Sequence, residues 1–192
     1  MTLRVLIPAA LVAVAAAVVA PLALSAPGSR PMTITATKLS ASRSPFLPAG
    51  RVVSDTTLTN RVYVNRLDGF SLSSQPNAQY GACTTDAGHT WRICTPVLHV
   101  NAANAPNVVT QIGADHRTYW VYGGPGGGPS IVVSNDAGRT WYRAYMPGMP
   151  MAITQSNTGV VRQLVAFVAT GRTPLVYTSS DGGHTWKYTS RL

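Results

Sequence analysis

One eight-residue pattern occurs three times in this chain: Thr84-Thr85-Asp86-Ala87-Gly88-His89-Thr90-Trp91, Ser134-Asn135-Asp136-Ala137-Gly138-Arg139-Thr140-Trp141 and Ser179-Ser180-Asp181-Gly182-Gly183-His184-Thr185-Trp186. Each copy reads Ser/Thr-x-Asp-x-Gly-x-Thr-Trp, and three copies in 192 residues establish an internal repeat, the strongest constraint a sequence can place on architecture. The residue types describe a hairpin tip. An Asp carboxylate accepts from backbone N–H groups just downstream. A Gly two residues later tolerates positive φ. The β-branched Thr opens the returning strand and its hydroxyl ties the loop. The Trp supplies a large apolar face to pin the turn on its own sheet. Asp86, Gly88, Thr90 and Trp91, with Asp136, Gly138, Thr140 and Trp141 and with Asp181, Gly183, Thr185 and Trp186, are therefore read as structural.

The octads also serve as a ruler. Asp86 and Asp136 are 50 residues apart, and Asp136 and Asp181 are 45 apart, the period of a four-stranded repeat unit. Short β-rich runs separated by turn residues fill each unit, such as 108–112, 118–122 and 130–133 before the second octad. Arg117 and Arg162 each stand 19 residues before their octad Asp; Arg61 stands 25 before Asp86, which puts about six extra residues into the first unit around Leu72 to Gln79. No helical periodicity is sustained after the first 25 residues.

The octads resemble the Asp-box, or bacterial neuraminidase repeat, of sialidases and related β-propellers. The resemblance implies an all-β, β-propeller-like domain over residues 51–192, built from three four-stranded Asp-box blades, with the boxes as fold elements away from the active site. Propellers close with about four to eight blades. Three are either incomplete or completed by dimerisation to six, the blade number of the sialidase fold. For activity, the resemblance suggests an exo-sialidase, with an arginine triad on the sugar carboxylate, a Tyr nucleophile activated by Glu, and an Asp acid/base. This chain contains no Glu, and the octads use three of its six Asp, leaving Asp55, Asp68 and Asp115. The activating Glu cannot be carried over, and Asp115 beside His116 reads as a turn.

Residues 5–24 are uncharged and rich in Ala, Val and Leu, and Ala23-Leu24-Ser25 offers small residues at a cleavage point. Residues 1–25 therefore read as a secretory signal peptide, with a single membrane anchor as the alternative. Residues 26–50 are rich in Pro, Ser and Ala and read as a linker, although 32–37 has the composition of a short strand. The expected location is secreted, cell-surface or periplasmic. The two cysteines, Cys83 and Cys94, bracket the first octad on strands expected to face each other, which predicts a disulfide rather than a metal site or redox pair.

The chain carries 15 Lys+Arg against 6 Asp+Glu, a formal net charge of +9, which favours polyanions. Arg61, Arg117 and Arg162 occupy matching places in the repeat, where they either mark a solvated strand entrance or converge on one carboxylate or sulfate. Tyr119, Trp120 and Tyr122 read as a strand with Trp120 opposite the other two, one face core and one free to stack on a sugar. The Gly-rich run 123–129 is a hairpin loop without the helix and Lys of a phosphate cradle. No histidine has ligand-like spacing, so neither metal nor cofactor is expected. The expected function is non-catalytic recognition of an anionic glycan or an extracellular protein. Sialidase-like hydrolysis and a protein-docking assembly role stand as alternatives, and nucleic acid ranks below both partners.

Overall fold

A computed structural model describes residues 33–100, 110–123, 128–158, 161–171 and 173–192; the expected signal peptide lies outside them. Two short strands, β1 (Thr33–Thr35) and β2 (Thr37–Lys38), come first. Three antiparallel sheets follow in chain order. The first contains β3 (Leu58–Tyr63), β4 (Gly69–Gln75), β5 (Ala78–Thr84) and β6 (Arg92–Ile93), with β7 (His99–Val100) against β5. The second contains β8 (Thr110–Asp115), β9 (Thr118–Gly123), β10 (Ser130–Ser134) and β11 (Tyr142–Tyr145), and the third β12 (Met149–Thr158), β13 (Val161–Ala169), β14 (Leu175–Ser179) and β15 (Thr185–Arg191). The fold is all-β, and among the described residues no sheet closes on itself.

Each octad is the turn between the third and fourth strands of its sheet, and all three use the same bonds. The leading hydroxyl accepts the Gly N–H, at 3.0 Å in Thr84, 2.8 Å in Ser134 and 2.9 Å in Ser179. It donates in turn to the Asp carboxylate, at 2.6, 2.8 and 2.8 Å. The same Asp oxygen accepts the N–H of Thr90, Thr140 or Thr185, at 2.9 Å each time. The residue after Asp is left-handed (Ala87 and Ala137 φ 61°, Gly182 φ 72°), as is the following Gly (87°, 86°, 91°). A second such residue in succession is costly for any side chain, which explains the fixed glycine.

The octad tryptophans pin their turns as expected. Trp91 lies against Leu58 and Ala82 of its own sheet. The Trp141 and Trp186 indoles donate to the Gly138 and Gly183 carbonyls of their own octads at 3.0 and 3.1 Å, while both also reach the preceding sheet. Trp141 packs against the first sheet, in a seam of Phe70 and Leu72 with Tyr119, Val121 and Val132. Trp186 packs against the second sheet, in a seam of Trp120, Ile131 and Val133 with Leu164, Ala166, Val168 and Tyr177. Residues two apart on a strand share a face. Tyr122 accordingly lies on the side of Trp120, and Tyr119 on the other.

The disulfide belongs to the first seam as well as to its hairpin. Cys83 and Cys94 are bonded with Cα atoms 5.7 Å apart. The residue directly facing Cys83 is Arg92, and Cys94 lies two beyond it. The Cys94 carbonyl accepts the Trp141 indole N–H at 2.8 Å. A Cβ on Gly138 would stand 3.1 Å from the Cys83 sulfur. The second octad therefore rests on the disulfide of the first sheet.

The segment expected to be a linker supplies two strands and ties the sheets together. Thr33–Thr35 pairs with β15 of the third sheet, and Thr37–Lys38 pairs with β11 of the second. Val52 bridges Arg92 of the first, flanked by Gly50 N–H to Ile93 C=O and Val53 N–H to Trp91 C=O. One segment thus runs along the outer strand of all three sheets, in reverse order, and occupies edges that would otherwise be open to another chain. Phe46, Leu47 and Val53 then fold over the free face of the first sheet, against Ala78, Tyr80 and Ile93, with Val53 reaching Ala82 and Trp91. Each sheet accordingly has a fifth strand position beyond the four expected.

Candidate functional site

The predicted arginine trio resolves into three different environments. Arg117 lies in the turn between β8 and β9, and its carbonyl accepts the Ala137 N–H of the second octad at 2.8 Å. In the first sheet the same bond comes from Leu67, whose carbonyl accepts the Ala87 N–H at 3.0 Å. Leu67, not Arg61, is therefore the counterpart of Arg117. The added length of the first unit sits in its longer β3–β4 turn, not at Leu72 to Gln79, where the β4–β5 turn is two residues long. Arg61 is held by Asp55, Nη2 to Oδ1 at 2.6 Å, and lies 5.8 Å over the Trp91 ring. It covers an octad tryptophan at the free end of the sheet series. Arg117 is exposed on its turn.

Arg162 is the arginine that faces a cavity. At the octad end of the second seam, Thr118, Asn135, Gln155, Arg162, Ser180 and Gly182, with Leu164 at the base, line a cleft of about 470 Å³. The fold puts each of them there for a local reason. Asn135 and Ser180 are the second residues of their octads. Gln155 and Leu164 are direct cross-strand partners on β12 and β13. A Cβ on Gly182 would come within 2.1 Å of the Asn135 amide nitrogen, so the amide lies against bare backbone.

Gln155 is the unusual member. Both its amide oxygen and its amide nitrogen are buried without a hydrogen-bond partner among the described residues. A buried amide left unpaired costs about 1–3 kcal/mol per group, and a primary amide offers two donors and an acceptor. Beside it stands a guanidinium with a planar donor fork suited to a carboxylate or sulfate. The wall is completed by two hydroxyls and a second amide. Among the described residues no Asp, His or Cys lines the cleft; its polar groups are one guanidinium, two amides and two hydroxyls.

The predicted aromatic platform is committed elsewhere. Tyr119 stacks on Phe70 with centroids 5.1 Å apart, and Trp120 fills the second seam. The three aspartates outside the octads all have local partners: Asp55 with Arg61, Asp68 with Asn65 at 2.7 Å, and Asp115 with His116. The described residues contain no group of His, Cys and Asp arranged to hold a metal ion. The Gly-rich loop falls mostly outside the described residues.

The octad aspartates are tuned for their turns. Hydrogen bonds from the Thr84 hydroxyl and the Thr90 N–H lower the pKa of Asp86 to about 2. For Asp136 and Asp181 burial works upward, but bonds from Thr140 and Ser134, and from Thr185 and Ser179, outweigh it and hold both below the usual range. Such carboxylates are fixed anions, poorly suited to acid catalysis.

A larger groove of about 620 Å³ lies beneath the N-terminal segment, between Leu39, Ala49 and Pro96 and the floor of Cys94 and Trp141, with Lys38 and Arg139 also lining it. It contains none of the unpaired buried side-chain atoms that mark the Arg162 cleft. Among the described residues no helix is long and apolar enough to cross a membrane. No family model matches the chain, and no curated protein or solved structure matches it.

Proposed function

We propose that the protein is an exported recognition module, an unclosed β-propeller of the Asp-box type whose sheets are its blades, and that the Arg162 cleft binds an anionic glycan without turning it over. The observation that carries this reading is the pairing of Arg162 with the partnerless Gln155 amide in a cleft otherwise lined by Thr118, Asn135 and Ser180. A uronic or sialic acid matches that set, its carboxylate on the guanidinium and its ring hydroxyls on the amides. The blade reading is supported by three sheets in series, octads in one register, and a tryptophan from each following sheet in the seam before it. Export is supported by the formed disulfide.

Among the described residues the lining contains no carboxylate to act as acid or base, and the spare aspartates are paired at other surfaces. An array of carboxylated, sulfated and neutral glycans probes the reading directly. Acidic sugars should bind, and Arg162→Ala and Gln155→Ala should each reduce that binding about tenfold or more, a loss of roughly 1.4 kcal/mol. Equal binding of neutral sugars would remove the anion-recognition reading, and turnover of a fluorogenic sialoside would remove the non-catalytic one.

A further inference from the structure

The octad ruler identifies one more surface. In each sheet the residues 16, 14, 5 and 3 positions before the octad Asp form a four-residue block on two neighbouring strands. In the first sheet these are Phe70, Leu72, Gly81 and Cys83, paired Phe70 to Cys83 and Leu72 to Gly81. In the second they are Trp120, Tyr122, Ile131 and Val133, paired in the same way. Both blocks face the next sheet along the chain and are covered by it. In the third sheet the block is Val165, Phe167, Val176 and Thr178, again in the same pairing. Among the described residues no other sheet packs on it.

That face is apolar at its centre. Ala152 lies opposite Phe167, and Met149 lies opposite Ala169. Met149 is 41% exposed, and Met151, at the β12 bulge, is 50% exposed. Across β12, β13 and β14 the described residues of this face include no charge; Lys187, opposite Thr178, stands at its β15 margin. The matching free face at the other end of the series is closed by the chain's own Phe46, Leu47 and Val53.

We infer that the third sheet is a self-association surface, on which a second copy of this chain packs face to face about a two-fold axis. Two observations select this occupant and this geometry. A face without charge at its centre buries against its twin without stranding an ion, which a charged face could not do. A head-to-tail ring of six sheets would need the first sheet's free face, and the N-terminal segment occupies it. Self-association therefore stops at two, as isologous contacts do. Five strands about 4.8 Å apart and about five residues long present roughly 400 Å² per copy. That is about half the roughly 800 Å² per partner of a standard interface, so the dimer is weak and reversible.

Sedimentation velocity from micromolar to near-millimolar concentration tests the inference. The wild type should pass from monomer to dimer, and added salt should strengthen the dimer, because it screens the like net charges while leaving an apolar contact intact. Met149→Glu with Met151→Glu, both at exposed positions, should weaken association by about tenfold or more. Leu67→Glu, at an exposed site on the first sheet, should leave it unchanged. Hydrogen exchange on the wild type gives a readout independent of any variant: concentration should add protection on β12, β13 and β14 and not on the first sheet. A strict monomer throughout, a dimer indifferent to the methionine changes, or growth beyond two copies would each overturn the inference.

Discussion

Gly183 shows how much of this fold is set by single backbone positions. Its φ is 91°, and a Cβ there would stand 2.7 Å from the Cβ of Val133 on the preceding sheet. Gly183→Ala combines left-handed strain of about 1–2 kcal/mol with overpacking of about 1–3 kcal/mol, so a loss of about 2–5 kcal/mol is expected from urea unfolding. Gly128 provides the control: its φ is 99° but nothing lies within 4 Å of its Cβ position, so Gly128→Ala should cost the strain alone. His99 sets a pH dependence. It is 7% exposed, and burial, followed by the charge of Arg143, lowers its pKa from 6.5 to about 4. The unfolded chain therefore takes up the proton first as pH falls. Stability present above pH 6.5 is lost between about 6.5 and 4, by about 3 kcal/mol for a shift of this size. Octad aspartates, whose folded pKa values lie below the usual range, contribute stability that is lost only at lower pH still. Chemical denaturation of the wild type and His99→Asn at pH 7 and pH 4.5 separates them, since the variant should lose most of the difference between those two values.

At the scale of elements, the turns were legible in the sequence and the edges were not. The octad names its own hydrogen bonds: Ser or Thr, Asp, Gly and Thr stand where a left-handed turn needs them, and all three copies form it. The disulfide was legible for the same reason, since Cys83 and Cys94 bracket one such turn. Residues 33–38 were obscured because an outermost strand is held by backbone bonds, which leave little trace in side-chain pattern, and the neighbouring prolines outweigh what trace there is. The register of Arg61 failed because a hairpin tip can lengthen without disturbing its sheet, so counting back from the octad passed over the longer β3–β4 turn. Gln155 and Asn135 carry no signature at all; they meet only because two sheets pack. Truncation that starts the chain at Leu39 tests the edge role. Loss of β1 and β2 bares the outer strands of the second and third sheets and removes Ile34 from the second seam. A fall in Tm of roughly 2–8 °C, for a loss of about 1–2 kcal/mol, with increased aggregation is expected by scanning calorimetry and light scattering.

For the whole molecule, the repeat makes a series with two unlike ends. The first sheet is capped by the chain's own N-terminal segment, with Arg61 and Tyr63 over Trp91. The third sheet ends in an apolar face. Between them run two seams, and the second opens at its octad end into the cleft that gathers Arg162, Gln155 and the two octad side chains. On the proposed reading, recognition sits where sheets meet and the octads themselves serve as scaffold. Calorimetric titration with a glucuronic-acid oligosaccharide, run in parallel on the wild type and on Arg162→Ala, Arg117→Ala and Arg61→Ala, tests that claim most directly. Binding by the wild type is expected to fall about tenfold or more with the change at Arg162, while the other two variants stay close to wild type because neither side chain reaches the cleft. An equal loss at all three arginines would mean diffuse attraction to a basic surface and would contradict the account.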